Sequence, residues 1–414
     1  MPSTPRAALF TVSLVLALGG CSTSDTAAET LDAGDSGGGS FDSARPLDAV
    51  ADGAPDARLD SPGDLGADAV DGKLDAPDAA DAPDADAACD PTARLSFPIA
   101  DPPPCFDGLP TAAPITLSGA AGKTIANVAI TNPSGPCIVI HGGSDIVIEH
   151  VALGPCKGDG IVIDGGATRV TVRDSYVHDT VGNGVATDGV DAVTVTGTTF
   201  ARNSSGGYFL VSTHVRFERN AALDVQGPGP RGQLVQFDKV TGDGNVVRCN
   251  VMENHAGKSV PEDGINMFSS TGTAASPILV EGNRIKGGGP SMSGGGILLG
   301  DGGGAYEISR ANVLADPGQY GTAVAGGSHM VIDGNRVFAR KQPFTNTGIY
   351  VWDQYASSCT DVTVKGNVVD WTNRDGAKNP WWNGGNCAAT TETGNDWSAS
   401  LDATIVDAVP DVCK

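Results

Sequence analysis

The chain has 414 residues, 40% of them hydrophobic, and a formal net charge of −23. This acidity argues against nucleic acid as a partner, because binding to the phosphate backbone relies on clustered Lys and Arg. The charge is uneven, since residues 22–88 hold 17 acidic residues against three basic ones and so carry more than half of the net charge. The chain therefore divides into regions of different physical character, and its length alone does not predict the number of domains.

The first 20 residues have the pattern of a signal peptide. A single charge at Arg6 precedes an apolar run over residues 7–18, which is too short to span a bilayer as a helix. The Leu-Gly-Gly that precedes Cys21 resembles the lipobox at which bacterial lipoproteins are cleaved and lipidated. We expect residues 1–20 to be removed and Cys21 to carry the lipid; an ordinary secretory signal beside an unmodified cysteine is the alternative. Ser22, where Asp would favour inner-membrane retention, favours the outer membrane, at its periplasmic face or the cell surface.

Residues 21–88 consist almost entirely of Asp, Ala, Gly, Pro and Ser. A segment of this composition buries too little apolar surface to offset the entropy of ordering, so we predict that it is disordered. Repulsion between its carboxylates extends it further. We interpret it as an acidic tether that holds the folded part away from the lipid; binding of cations or of a basic partner is the alternative.

The chain contains nine cysteines, and eight remain when Cys21 is assigned to the lipid. An even number in an exported protein favours disulfides. No spacing of Cys and His is typical of a zinc site. The pairs that are close in sequence are Cys89–Cys105, Cys137–Cys156 and Cys359–Cys387, with Cys249 and Cys413 left over. The sequence leaves the connectivity open.

Two short motifs alternate from about residue 115 onward. In the first, a small or polar residue and Gly precede an alternating triplet; copies begin at Asp159, Asn183, Asp263, Gly295 and Thr347. The second has the form apolar-x-apolar-x-Gly-Asn-x-apolar; clear copies begin at Ile278, Met330 and Val362, and weaker ones at Ile146, Val170, Val193 and Val215. The early copies are 22 to 24 residues apart, which is the length of a coil made of three short strands.

This alternation predicts an all-β solenoid. Within each strand one set of side chains points inward and the other outward, and Gly or Asn at the corners supplies the positive φ of a sharp turn. A β-sandwich also has short strands, but it would not repeat two motifs in fixed alternation. Each coil buries its apolar side chains against neighbouring coils, so about eight or nine coils form one core. We expect an N-terminal cap in 89–114, the solenoid in 115–370 and a C-terminal cap in 371–414.

The repeat resembles that of the right-handed parallel β-helix superfamily (pectate-lyase-like fold), which includes pectate lyases and polygalacturonases. The resemblance covers roughly residues 115–370 and implies a right-handed, single-stranded solenoid. It does not specify a function, because the superfamily contains lyases, hydrolases, epimerases, adhesins and inactive scaffolds.

The motifs of individual families are incomplete in this chain. Arg284-Ile285-Lys286 matches the Arg-Ile-Lys element of polygalacturonases, but their Gly-His-Gly element is missing, and Arg284 lies in a repeat that also contains Arg336. The calcium-binding aspartates of pectate lyases and the Asp-Pro-His element of mannuronan epimerases are absent too. No specific enzyme family is matched, and packing explains Arg284 better than catalysis does.

The middle of the solenoid is irregular. Copies of the first strand are 24 residues apart early in the repeat, but 30 residues separate Val235 from Ile265 and 32 separate Ile265 from Ile297. The additional residues lie in 241–261 and 269–294, on both sides of a strand over 265–268. Because long loops on a rigid scaffold are common places for binding and catalysis, we place the candidate site there.

Polar side chains gather around this strand. The outward positions Val162, Ala186 and Leu210 of earlier coils give way to Gln236 and Asn266, which we expect to be neighbours because stacked coils lie about 4.8 Å apart. We assign catalytic roles to Glu262, Asp263 and Lys239, as acid, base or proton-abstracting groups. Candidate substrate-binding residues are Gln236, Asp238, Asn266, Asp301, Tyr350, Trp352 and Asp353.

A structural role is the alternative for several of these residues. Asp263 occupies the position of Asp159 and Asn183, and it can be the polar corner residue before Gly. Asp238 occupies the position of Asp164 in its coil and can cap the end of a strand. Trp352 is the best candidate for stacking on a sugar ring. The four other tryptophans, Trp371, Trp381, Trp382 and Trp397, are expected to cap the C-terminal end of the solenoid.

Two functions remain open at this point. The first is a polysaccharide-active enzyme, either a lyase or a glycoside hydrolase. The second is a non-catalytic surface module that binds carbohydrate along its strands or acts as an adhesin. We expect a monomer whose contact with the membrane is through the lipid alone. No cofactor is required, although clustered carboxylates suit Ca²⁺.

Overall fold

The computed structural model describes residues 93–355 and 358–414, and contains 31 strands. The predicted signal peptide, Cys21, Cys89 and the acidic tether lie outside the described residues. The first strands are β1 (Thr111–Ala112), β2 (Ile115–Ser118), β3 (Thr124–Asn132), β4 (Ile138–His141), β5 (Ser144–Cys156), β6 (Ile161–Asp164), β7 (Thr168–Arg173), β8 (Tyr176–His178), β9 (Val185–Asp188), β10 (Asp191–Thr196) and β11 (Thr199–Ala201).

The middle strands flank the candidate site. They are β12 (Gly207–Leu210), β13 (Arg216–Glu218), β14 (Ala221–Leu223), β15 (Val235–Asp238), β16 (Val246–Arg248), β17 (Val251–Glu253), β18 (Ile265–Phe268), β19 (Ile278–Glu281), β20 (Arg284–Lys286), β21 (Ile297–Asp301), β22 (Glu307–Arg310) and β23 (Val313–Ala315).

The last strands are β24 (Tyr320–Val324), β25 (Ser328–Asp333), β26 (Arg336–Ala339), β27 (Thr347–Val351), β28 (Thr360–Lys365), β29 (Val368–Trp371), β30 (Trp381–Asn383) and β31 (Ala388–Thr393). Short 3₁₀ turns are Ala93–Leu95, Pro104–Phe106, Ala403–Asp407 and Asp411–Cys413.

Successive coils pair in parallel and form three ladders. Ladder A is an 11-stranded sheet containing β2, β4, β6, β9, β12, β15, β18, β21, β24, β27 and β30. The other 20 strands form one sheet with two faces: ladder B runs from β3 and β5 through β7, β10, β13, β16, β19, β22, β25 and β28 to β31, and ladder C contains β1, β8, β11, β14, β17, β20, β23, β26 and β29. The long strands β3 and β5 join the two faces. The predicted solenoid is confirmed.

The solenoid has more coils than the repeat indicates, because ladder A alone has 11 strands. The first strand of the ladder, β2, begins at Ile115, the residue at which the solenoid was predicted to begin, although it lacks the polar-Gly start. The last strand, β30, lies beyond residue 370, and Pro380 and Trp381 stand where β27 has Gly348 and Ile349. Strands continue to Thr393 on ladder B, so coil structure extends into the segment predicted to be the C-terminal cap.

The core follows from the alternation of side chains. Inward positions such as Ile138, Ile161 and Val185 are stacked in register and fully buried. Each fully buried Val, Leu or Ile side chain stabilises the fold by about 1.5–3 kcal/mol relative to exposure. Outward positions on the same strands stay partly exposed, so the outer surface of ladder A is open to carry function.

A column of asparagines fills the corner between ladders B and C. In each step the side-chain oxygen of one Asn accepts hydrogen bonds from the backbone N–H and the Nδ2 of the Asn one coil before it, at 2.9–3.1 Å. These bonds satisfy polar groups that would otherwise be buried without partners. The Gly-Asn motif of the sequence is therefore structural. Its members are Asn220, Asn250, Asn283, Asn312, Asn335, Asn367 and Asn395.

Three disulfides are present among the described residues. Cys137–Cys156 and Cys359–Cys387 confirm two of the pairs favoured by sequence proximity. The third, Cys249–Cys413, joins residues 164 positions apart and fastens the C-terminal segment to the solenoid. The pair predicted for Cys105 stays untested, because Cys89 lies outside the described residues.

The two terminal segments of the described chain pack on ladder C. Ile99 and Phe106 contact the outer side chains of its early strands, and Ile405 and Val406 contact those of its later strands. Arg284 joins the two segments: its Nη1 donates to the carbonyl of Val406 at 2.8 Å and its Nη2 donates to that of Leu95. The Arg-Ile-Lys element thus serves packing, as predicted from its position in the repeat.

The tryptophans divide between the end of the solenoid and its surface. Trp371 is fully buried in the core, and Trp381 stacks on Trp397 with ring centroids 5.4 Å apart at the last coil. Trp382 lies instead on the outer face of ladder A beside Trp352. The positions of Trp371, Trp381 and Trp397 therefore fit the predicted cap, whereas Trp382 lies on the outer face of ladder A. Among residues 93–355 and 358–414, no helix is long and apolar enough to cross a membrane.

Candidate functional site

The candidate site lies on the outer face of ladder A. Strand register places Tyr208, Gln236, Asn266 and Leu298 side by side in one outward column, which confirms that Gln236 and Asn266 are neighbours. Leu210 also points outward, but it belongs to the next column, where it pairs with Asp238. The residue in register with Gln236 is Tyr208, so the sequence-based choice of Leu210 was two residues too late.

A second outward column carries acidic side chains. It contains Asp188, Leu210, Asp238, Phe268 and Asp301 in the order of the coils. Asp238 and Asp301 therefore stand one coil either side of Phe268. Their backbones are about 10 Å apart, which is twice the spacing of neighbouring parallel strands.

A bulge in β21 brings Asp301 into this column. Phe268 pairs with Asp301 although Asn266 pairs with Leu298, so β21 contains one additional residue. Gly300 has a φ of 62°, and a Cβ there would lie 2.1 Å from the carbonyl oxygen of Gly326. Only glycine fits this close approach. The glycines before Asp301 thus determine where its carboxyl group points.

Three loops line one side of the acidic columns. Residues 224–234, 254–264 and 287–296 lead from ladder C into β15, β18 and β21. They supply Arg231, Glu262 and Ser293. The Ser293 hydroxyl donates a hydrogen bond to Glu262 at 2.5 Å, which connects two neighbouring loops. The sequence predicted long loops on both sides of β18, and the structure also gives a long loop to the coil before it.

Asn266 lies between two carboxyl groups. Its Nδ2 donates to Oδ2 of Asp263 and to Oδ2 of Asp301, both at 2.8 Å. Asn266 is only 4% exposed, and its own Oδ1 has no hydrogen-bond partner among the described residues. A single amide thus fixes the relative position of two acids, and one buried oxygen of the same amide stays unsatisfied.

Asp263 is almost fully buried. Besides Asn266, it accepts hydrogen bonds from the backbone N–H of Gly295 at 3.0 Å and from the hydroxyl of Tyr320. The bond from Gly295 repeats the corner bond of Asp159, which accepts from the backbone N–H of Asn183. Burial raises the pKa of Asp263 to about 7, and the charge of Glu262 adds to the effect. Asp263 is therefore both a corner residue and an acid that holds a proton near neutral pH.

Asp301 is more accessible than Asp263. Its Oδ1 accepts a hydrogen bond from the hydroxyl of Tyr355 at 2.6 Å, and Tyr355 is 51% exposed. Burial raises the pKa of Asp301, and the negative charge of Asp238 raises it further. The carboxylate of Asp238 is thus close enough to favour the protonated form of Asp301.

Asp238 is held by an aromatic and a basic neighbour. Its Oδ2 accepts from the hydroxyl of Tyr208 at 2.6 Å, and its Oδ1 lies 3.6 Å from Nζ of Lys239. The guanidinium of Arg231 stacks 3.7 Å above the Tyr208 ring and donates to Oε1 of Gln236 at 2.9 Å. Burial and Asp238 raise the pKa of Tyr208 to about 12, so its hydroxyl stays a donor.

The structure brings some of the predicted catalytic residues together and separates another. Glu262 and Asp263 belong to the same cluster as Asn266 and Asp301. Lys239 is exposed and pairs with Asp238, and it forms no ion pair with Glu262 or Asp263. A positive φ of 55° at Lys239 turns the chain away from ladder A directly after the strand.

Aromatic side chains continue the face beyond the acids. Tyr350 and Trp382 follow Leu298 along the first outward column, and Trp352 packs against Trp382 with ring centroids 5.9 Å apart. Asp353 accepts hydrogen bonds from the backbone N–H groups of Tyr355 and Cys359 at 3.4 Å, so its carboxylate also caps the turn that carries Tyr355. Of the predicted substrate-binding residues, Gln236, Asn266 and Tyr350 are buried, whereas Asp238, Asp301, Trp352 and Asp353 stay partly exposed.

Sequence reasoning missed several contributors. Tyr320 contacts an aspartate 57 positions away, two coils earlier, and no local motif marks such a contact. Arg231 lies in an irregular segment outside both repeats. For Trp382 a signal was available, since it follows the Tyr350 column at the spacing of one coil. In the described ranges, no group of three or more His, Cys, Asp or Glu residues is placed to hold a metal ion.

The comparisons with known proteins concern the fold. Residues 115–260 match the family model described as the right handed beta helix region. This protein is a right-handed parallel β-helix. No curated protein matches the sequence.

The solved structures with a similar fold include an alpha-1,3-glucanase and an alginate epimerase. The catalytic domain of a GH87 alpha-1,3-glucanase in complex with nigerose is 11% identical with a TM-score of 0.52, and the match covers 69% of this chain and 57% of that one. The same domain in complex with tetrasaccharides is 12% identical with a TM-score of 0.51, covering 68% and 56%. The periplasmic alginate epimerase AlgG is 13% identical with a TM-score of 0.47, covering 69% and 72%. This chain thus spans little more than half of the GH87 chains, and the likeness is one of fold.

Proposed function

We propose that this β-helix binds a polysaccharide across the outer face of ladder A and hydrolyses its glycosidic bonds. The observation that carries the proposal is the pair of carboxyl groups at Asp238 and Asp301. They share one outward column and lie one coil before and one coil after Phe268. Burial raises the pKa of Asp301, and the charge of Asp238 adds to this effect. Three long loops border the same face, where a bound chain would be positioned.

The two carboxyl groups suit the roles of a glycoside hydrolase. Asp301 has a raised pKa and can hold the proton that the leaving oxygen needs, while Asp238 can act as the opposing carboxylate. The backbones of the two residues are about 10 Å apart, which is close to the separation of about 5–9.5 Å between the carboxyl groups of such pairs. Asp263 lies behind Asp301 and, through Asn266, positions its carboxyl group.

The charge of the face favours an uncharged polysaccharide over a uronate. Four carboxyl groups, those of Asp238, Glu262, Asp263 and Asp301, surround the site. The nearby basic groups are those of Arg231, which is stacked on Tyr208, and Lys239, which is paired with Asp238. A lyase needs free positive charge beside the uronate carboxylate of its substrate. Hydrolysis is therefore the better-supported chemistry of the two.

The aromatic side chains supply the binding surface beyond the acids. Trp352 and Trp382 are the partly exposed members of an outward cluster on the last coils of ladder A, and the buried Tyr350 packs against Trp382. Aromatic rings suit the apolar faces of sugar rings. A chain lying along the solenoid axis would contact this cluster while one of its bonds lies over the acids. The nigerose complex of the GH87 alpha-1,3-glucanase is the reason to include α-1,3-glucan among the test substrates.

The location is part of the proposal. Lipidation at Cys21, followed by an acidic tether and preceded by a removed signal peptide, would hold the β-helix at the outer membrane as a monomer. The lipid would be its contact with the membrane, and its strong negative charge disfavours nucleic acid. Palmitate labelling of the parent and of Cys21→Ala in a bacterial host would test the anchor.

A non-catalytic carbohydrate-binding module is the second candidate. Its support is the hydrogen bonding of the acids: Asp263 makes the same corner bond as Asp159, and both oxygens of Asp301 accept hydrogen bonds. Groups held in this way can serve the fold and the shape of the surface without taking part in chemistry.

Incubation with uncharged and uronic-acid polysaccharides, followed by chain-length analysis, separates the two candidates. We expect shortening of an uncharged polysaccharide by the parent, and loss of at least about 100-fold in Asp301→Asn and Asp238→Asn. Asp188→Asn is the matched control, because Asp188 lies in the same column outside the acidic cluster. If the parent binds but never shortens any polysaccharide, the binding module is the correct function.

A further inference from the structure

A cavity lies on the outer face of ladder B, away from the acidic cluster on ladder A. Its volume is about 240 Å³, and it opens to solvent. Its lining residues are Ala274, Pro277, Tyr306, Ile308, His329, Val331, Asp361 and Thr363. None of these residues belongs to the candidate site on ladder A.

The floor of this cavity is apolar. Ile308 and Val331 follow one another in one outward column of ladder B and stay partly exposed. The same column carries Thr171, Thr194 and Arg216 on earlier coils, and then Val246 and Leu279. Val246, Leu279, Ile308 and Val331 form an apolar strip four coils long, and the cavity lies over the last two of these coils.

One wall of the cavity is a stack of side chains from successive corners. Tyr306 and His329 stack with ring centroids 4.4 Å apart and an interplanar angle of 13°. Nδ1 of His329 bonds to the carboxylate of Asp361 on the next coil. Asp361 is exposed, and the Thr363 hydroxyl adds a polar group at the same end of the floor. This wall thus combines flat rings with hydrogen-bonding groups.

The end of the cavity on the coil before Tyr306 is a turn that its own hydrogen bonds hold in place. The backbone N–H of Thr273 donates to the carbonyl of Ser276 and the N–H of Ser276 donates back to that of Thr273, at 3.0 and 3.2 Å. The Thr273 hydroxyl also donates to Asp243 at 2.7 Å. Ala274 and Pro277 of this turn therefore face the floor from a fixed position. The cavity is preformed and needs no ordering before a ligand enters.

We infer that this cavity is a second carbohydrate-binding site, which holds a ring of an uncharged polysaccharide on ladder B. An apolar floor matches the C–H face of a sugar ring, and a rim of carboxylate, imidazole and hydroxyl groups matches its hydroxyls. Asp361 accepts hydrogen bonds from hydroxyl donors and repels a uronate. The site holds no pair of carboxyl groups and therefore serves attachment to the polysaccharide, separately from the acids of ladder A.

Sedimentation of the folded protein with insoluble α-1,3-glucan and with cellulose tests this inference. Val331→Trp fills the cavity from its floor, and we expect the affinity for the bound polysaccharide to fall at least about fivefold. Thr194→Trp is the control, because it places the same side chain in the same column outside the cavity. Asp361→Ala, an exposed change that spares the core, should weaken binding as well.

The outcomes are distinct from those that test hydrolysis. Asp301→Asn should bind the insoluble polysaccharide like the parent, whereas Val331→Trp should keep the parent's activity on short soluble oligosaccharides. The inference is overturned if Val331→Trp and Asp361→Ala bind like the parent, if Thr194→Trp weakens binding to the same degree, or if neither polysaccharide sediments the protein.

Discussion

The buried carboxyl of Asp263 makes the stability of the protein depend on pH in a way that one substitution removes. Asp263 lies under Asn266, Gly295 and Tyr320, and burial raises its pKa from 3.8 to about 7. Between these two values the folded state holds a proton that the unfolded chain has released. Stability therefore falls as the pH rises through this window, and the full cost above it is about 4 kcal/mol.

Asp263→Asn replaces the acid with a neutral group of the same shape. The amide cannot accept all the hydrogen bonds of the carboxylate, and this cost is the same at every pH. The stability of the variant relative to the parent should therefore rise by about 2–3 kcal/mol between about pH 5 and about pH 8. Urea unfolding followed by tryptophan fluorescence at several pH values measures this difference.

Asp159→Asn is the matched control for this experiment. Asp159 makes the same corner bond, to Asn183, on a coil where the carboxyl is partly exposed. The difference in stability between Asp159→Asn and the parent gives the effect of the same substitution at a partly exposed corner, and the effect of Asp263→Asn is compared with it. If the free energy of unfolding changes with pH in the same way for Asp263→Asn and for the parent, Asp263 is ionised in the folded protein and does not hold the proton.

Three further predictions concern stability and binding. Asn283→Ala removes the middle of the asparagine column and should lower the free energy of unfolding by about 2–4 kcal/mol, whereas Asn395→Ala at its end should cost less; urea titrations compare them. Cys413→Ser should release the C-terminal segment, so limited proteolysis should cleave within residues 403–414 while the solenoid stays intact, and equal resistance to the parent would contradict the clamp. Trp371→Ala should destabilise the core by about 3–5 kcal/mol, whereas Trp382→Ala should weaken polysaccharide binding with little change in stability; the opposite pattern would reverse their roles.

The sequence predicts the repeating part of the site well, because registers of stacked coils follow from motif spacing. Counting from one copy of the motif to the next places Gln236 beside Asn266, and the structure has them in register. The same counting failed by two residues at Leu210, since Tyr208 is the residue aligned with Gln236. Both positions point outward, and an alternating pattern cannot distinguish two outward residues of one strand.

The irregular contacts could not be predicted in this way. Asp301 reaches its column through a bulge at Gly300, and a single inserted residue leaves no mark in a loose glycine-rich copy of the motif. Lys239 follows Asp238 directly in sequence, but the chain turns there, and its ammonium group does not reach Glu262. Side chains from loops depend on loop conformation, which the repeat does not determine.

The sequence by itself determined the all-β solenoid and the coils where polar residues replace apolar ones, because both depend on local spacing and alternation. It favoured two of the disulfides by proximity and left their connectivity open. The tertiary structure decided which carboxyl groups are buried and which partners they have. Asp263 and Asp159 occupy equivalent corners of the repeat, but Asp263 is buried beneath Tyr320 from two coils away, whereas Asp159 is partly exposed. This burial raises the pKa of Asp263. The burial of a side chain depends on all the residues packed around it. Those residues come from several coils and meet only when the coils stack.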